Sequence, residues 1–139
     1  IESIKAAITE RTKIIIPVDI GGWPCDYNEI NAIVNDAEIK AKFKAETAEQ
    51  EKLGRILVLS DAAHSVGASY HGNRTGSLTD VTVFSFHAVK NLTTAEGGAV
   101  CLNLPEPFNC DEIYKQLNIK SLHGHALCAD RTRMEWLNL

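Results

Sequence analysis

Four short runs of β-branched and apolar residues limit what this chain can fold into: Ile14 to Ile20, Ile56 to Leu59, Val81 to Phe86 and Gly98 to Leu102. A run of that length, apolar on both sides, suits a strand buried inside a parallel sheet. Pro17 weakens the first run, because proline cannot donate to a sheet ladder. The stretches between the runs carry helical signals. Asp26 to Glu29 has the D-x-x-E form of a capping box, and Ile30, Ile33, Val34 and Ala37 follow on one face. Ile1, Ile4, Ala7 and Ile8 recur at helical spacing, so the first ten residues read as the tail of an amphipathic helix. Asp111 to Leu117 reads as another short helix. Strands alternating with helices predict an α/β sheet with crossover connections.

Composition narrows the partners. With 14 Lys and Arg against 18 Asp and Glu, the net charge is −4, which argues against nucleic acid or an anionic membrane surface as the main partner. The longest apolar runs are far too short to cross a bilayer, and nothing near Ile1 reads as a signal peptide. A cytoplasmic protein with free cysteines is expected, because Cys25, Cys101, Cys110 and Cys128 include no C-x-x-C pair. His123 and His125 form an H-x-H without a supporting acid or thiol nearby, so no metal site is assigned. From Glu38 to Arg55, 9 of 18 residues are charged, which reads as a solvated helix extension or surface insert.

Ligands of open α/β sheets gather at the carboxyl ends of the strands. Asp61, Ser85 and Lys90 stand at or just beyond two such ends, with Gly67, Gly72, Gly76, Gly97 and Gly98 around them. Taken singly, Asp61 reads as a cap or turn residue, Ser85 as a hydroxyl serving the backbone, Lys90 as a surface lysine and His64 as a partly buried histidine. An acid, a hydroxyl and a lysine at one sheet edge suit a phosphorylated, nitrogen-containing cofactor, which spacing alone does not name.

The order Asp61-Ala62-Ala63-His64, Tyr70-x-Gly72, Phe84-Ser85-Phe86-x-x-x-Lys90 and Glu96-Gly97-Gly98 resembles the DegT/DnrJ/EryC1/StrS family of pyridoxal-phosphate (PLP) sugar aminotransferases. Ile15-Ile16-Pro17-Val18-Asp19-Ile20-Gly21-Gly22 with Cys25-Asp26 is similar to the strand and turn before the family's next helix, and the likeness runs from about Ile1 to His125. The resemblance implies the central part of a PLP-transferase large domain: a three-layer, mostly parallel sheet with helices on both faces. By position, Lys90 matches the lysine that bonds to PLP and shuttles a proton. Asp61 matches the carboxylate on the pyridine nitrogen, and Ala63 the small residue beneath the ring. His64 matches the residue reaching the phenolic oxygen, and Ser85 the phosphate-binding hydroxyl. Implied partners are a nucleotide-linked keto sugar, an amino-acid donor expected to be glutamate, and a second subunit of a homodimer. Family members are longer, so residues 1–139 are expected to be a partial large domain, without its N-terminal segment and C-terminal small domain. The alternative for the 139-residue chain by itself is an inactive structural piece that does not hold PLP.

Overall fold

The four apolar runs assemble into one sheet in the computed structural model, which describes residues 1–121. Its strands are β1 (Ile14–Ile15), β2 (Leu57–Asp61), β5 (Val81–Ser85) and β6 (Gly98–Leu102), in the order β1-β2-β5-β6. β1, β2 and β5 run parallel, whereas β6 pairs antiparallel with β5. A hairpin of β3 (Ser69–Tyr70) and β4 (Asn73–Arg74) stands apart from this sheet. The chain divides into two compact units, Ile1–Pro105 and Glu106–Leu139. In the second, helix α5 (Cys110–Ser121) begins at Asn109, whose side chain accepts from the Asp111 and Glu112 amides.

In the first unit, α1 (Glu2–Ala7), α2 (Tyr27–Asn35), α3 (Ala37–Lys42) and α4 (Ala48–Leu53) are all short. The expected N-cap forms: Asp26 caps α2 and accepts from the Glu29 amide at 3.3 Å. A nine-residue helix is marginal in water, so tertiary burial must hold it. Ile30, Ile33 and Val34 are buried with Ile8, Ile39, Ile56 and Val58 in one cluster, each apolar side chain contributing about 1.5–3 kcal/mol. The charged segment after α2 folds as two capped helices. Asp36 caps α3, Thr47 caps α4, and Gly54 in the left-handed region ends α4. Arg55, which follows, makes two 2.7 Å bonds to the buried Asp80, which also accepts from the Val58 amide.

The sheet is covered unevenly. Ile56, Val58, Ser60, Thr82 and Phe84 point into the packed side. The alternate residues face the other way, and there Ile14, Ile16, Val18, Val83 and Val100 are between about one-third and three-fifths exposed. Within this unit α1, α2 and α3 lay their apolar residues on one face of the mixed, mostly parallel sheet, which is the α/β arrangement that the sequence predicts. The first apolar run also departs from a fully buried strand. Pro17 ends the ladder after Ile15, and pairing resumes only as an isolated bridge from Val18 to Asp61.

Candidate active site at the carboxyl ends of the parallel strands

β2 and β5 run side by side in parallel with Asp61 opposite Val83, so their last residues open onto the same edge of the sheet. A recess of about 370 Å³ lies there against Ile16, Leu59 and Val83, and Asp61, Ala63 and Ser85 contribute its polar and small lining. The backbone of Asp61 is pinned from the neighbouring segment: its amide donates to the Pro17 carbonyl at 2.9 Å, and its carbonyl accepts from the Asp19 amide at 3.0 Å. Its carboxylate accepts from the Ala63 amide at 3.2 Å. With about four lone-pair sites, it keeps acceptor capacity for a ligand. Ser85 Oγ accepts a long 3.4 Å bond from the His87 amide, which leaves its own proton to donate.

Lys90 arrives by a tight turn beyond β5. Its amide donates to the His87 carbonyl at 2.9 Å, and Asn91 Nδ2 bonds the Val66 carbonyl at 3.1 Å, tying this loop to the one after β2. As a result Lys90 Nζ lies 2.9 Å from His64 Nε2. The two nitrogens share one hydrogen bond, whose donor is set by the histidine tautomer. Of the residues singled out from the sequence, the structure therefore joins Asp61, Ala63 and Ser85 in one recess, and Lys90 with His64 in one contact. The Glu96-Gly97-Gly98 turn serves the backbone. At Gly98 a Cβ would meet the Phe84 carbonyl oxygen at 2.5 Å, so the β5–β6 pairing opposite Ser85 needs glycine.

The donor set fits the group that the resemblance implies. A carboxylate with spare acceptor sites suits a protonated ring nitrogen, Ala63 leaves room for a flat ring, Ser85 offers a proton to a phosphate, and Lys90 supplies the amine. Behind this edge lies a cluster that sequence reading missed. Asp19, Tyr27, Ser60 and Ser65 are each no more than 2% exposed and are bonded to one another. Burial, reinforced by the bond to Asp19, pushes the Tyr27 phenol up from its ordinary range. Burial and the nearby Asp19 charge push the Cys25 thiol up as well. One signal was available: an acid inside an apolar run must be partnered when buried. At the surface, Tyr70 donates to Asp26, which lowers the carboxyl and raises the phenol. His123 and His125 lie outside the described residues, and no helix among the described residues is long and apolar enough to cross a membrane.

Comparison with known proteins follows the same pattern. The model of the DegT/DnrJ/EryC1/StrS aminotransferase family matches residues 1–135. MJ1066 of Methanocaldococcus jannaschii is 40% identical over 89% of this chain and 26% of its own. SpsC, a spore coat polysaccharide biosynthesis protein of Bacillus subtilis, is 34% identical over 91% of this chain and 26% of its own. Spr1654 of Streptococcus pneumoniae, a proposed sugar aminotransferase solved in PLP and PMP forms, superposes with TM-score 0.83 at 43% identity. That match covers 88% of this chain and 31% of the PLP-form chain. The chain thus spans about a quarter of the curated relatives it matches.

Proposed function

Because the chain belongs to the DegT/DnrJ/EryC1/StrS aminotransferase family, we propose that the protein containing it is a cytoplasmic, homodimeric, PLP-dependent sugar aminotransferase. It transfers an amino group, with glutamate as donor, to a nucleotide-linked keto sugar destined for polysaccharide or aminosugar synthesis. The observation that supports this reading is the 2.9 Å contact of Lys90 Nζ with His64 Nε2, the residue next to Ala63, which lines the recess with Asp61 and Ser85.

PLP, when bound, supplies a conjugated ring that accepts the electrons left on a carbon as it loses a proton. Asp61 holds a proton at the ring nitrogen, which keeps the ring electron-accepting. Ser85 Oγ donates to the phosphate. Ala63 leaves space for the ring, and His64 orients it through the phenolic oxygen. Lys90 holds the cofactor covalently, and its Nζ, when free, moves the proton at the substrate carbon.

The test is Lys90→Ala in the full-length protein. Glutamate-dependent turnover should fall by about 10²–10⁴-fold or more, and covalent attachment of PLP should be lost. Attachment retained in the variant would overturn the assignment. A second reading applies to the 139-residue chain by itself. Its open sheet face, with Ile16 57% and Val18 45% exposed, favours a structural piece that does not hold PLP alone. Titrating PLP into it should give no saturable absorbance change, and stoichiometric binding would contradict that reading.

A further inference from the structure

One buried carboxylate gathers groups from segments far apart in the chain. Asp19, 1% exposed, accepts from the Cys25 amide at 3.1 Å and the Tyr27 hydroxyl at 2.5 Å on one oxygen, and from Ser65 Oγ at 2.5 Å on the other. Tyr27 has a single proton, and giving it to Asp19 leaves its oxygen to accept from Ser60 Oγ, 2.5 Å away. Asp19 therefore ties the turn before α2, the start of α2, strand β2 and the loop after it. It faces the packed side and does not line the recess.

What it holds is the backbone of His64. Ser65, the next residue, is fastened by the Asp19 carboxylate. From the other side comes Gly22, whose amide donates to the Asp19 carbonyl at 3.1 Å. Gly22 packs so closely that a Cβ would lie 2.8 Å from the His64 carbonyl oxygen, at a φ of +85°. Asp19 thus grips the His64 peptide through its side chain on one flank and its main chain on the other. Asp61 depends on Asp19 only through the main-chain amide, which any substitution other than proline keeps.

We propose that Asp19, acting through Ser65, is the positioning residue for the His64–Lys90 pair, in which, on the aminotransferase reading, His64 orients the cofactor that Lys90 holds. A carboxylate that only stabilised the fold would respond alike to losing either hydroxyl. A positioning carboxylate is sensitive to Ser65 and not to Tyr27.

The test is trace acetylation of the cofactor-stripped, full-length protein, with the labelling rate of Lys90 read by mass spectrometry against the exposed Lys5 and Lys42. Ser65→Ala and Asp19→Asn should each raise Lys90 labelling about fivefold, the factor that one ordinary hydrogen bond represents. Tyr27→Phe should lower the melting temperature and leave Lys90 labelling unchanged. Unchanged labelling in Ser65→Ala, or an equal rise in Tyr27→Phe, would overturn the proposal. If Asp19→Asn does not fold, Ser65→Ala decides, since it deletes one hydroxyl and leaves the carboxylate with its other donors. The labelling is read without cofactor, so its failure leaves the aminotransferase reading intact. Loss of that reading would appear instead as PLP attached away from Lys90.

Discussion

The two faces of strand β2 carry the same kinds of residue to opposite ends. On the packed face, Ile56 and Val58 sit in the core, and Ser60 joins Tyr27, Asp19 and Ser65 in a network in which the polar groups serve each other. On the open face, Leu57 and Leu59 lead to Asp61, whose carboxylate accepts from the Ala63 amide and keeps acceptor sites in hand. No buried side-chain nitrogen or oxygen among the described residues lacks a partner. At the recess, by contrast, the Asp61 carboxylate and the Ser85 hydroxyl keep hydrogen-bonding capacity beyond the bonds they make. Satisfied polar groups fix a structure, whereas groups with capacity left are able to bind something else.

Four substitutions sharpen or break that contrast. Asp61→Asn in the full-length protein should cost about 10²–10⁴-fold in turnover while PLP binding persists and stability hardly changes. Unchanged turnover would remove Asp61 from the site. Asp80→Ala strands the buried Val58 amide and takes from the partly buried Arg55 both of its carboxylate bonds, and denaturant unfolding should show a loss of about 3–5 kcal/mol. A loss below 1 kcal/mol would mean that the packed face is not held by that pair. Tyr27→Phe removes one donor from Asp19 and should cost about 1–3 kcal/mol.

The same variant has a pH signature. The Tyr27 phenol is raised above its ordinary 10 in the folded state. Its contribution is therefore fully present below pH 10 and is lost as pH rises toward the raised value. Melting temperatures measured from pH 8 upward should fall more shallowly in Tyr27→Phe than in the parent. Last comes Ile16→Ser on the open face, 57% exposed, which should change the stability of the 139-residue chain by no more than about 0.5 kcal/mol. A larger loss would show that this face is covered.

Much of this organisation was legible in the sequence, and what was not has physical causes. Asp26 to Glu29 announced the start of α2, because a capping box is a local contract between a side chain and an amide three residues on. The four strands followed from runs of β-branched residues. The first run departs from its reading on burial: Ile14, Ile16 and Val18 read as core, yet side chains alternate in a strand, and in the first unit these three sit on the face opposite the buried cluster of described residues. The β3–β4 hairpin was passed over because its turn is His71-Gly72. Both residues adopt positive φ, and histidine is not the residue expected at the first position of such a turn. The candidate site residues are legible through a motif. Their support is not, since the Ser65–Asp19 and Ser60–Tyr27 bonds span 46 and 33 residues and leave no spacing to read.

The measurement that bears most directly on the open face as a cofactor site is peptide mapping of the full-length protein after borohydride reduction. Reduction should fix PLP on the peptide containing Lys90 and on no other lysine. Cofactor mass on a different lysine, or none recovered from a protein saturated with PLP, would contradict the account.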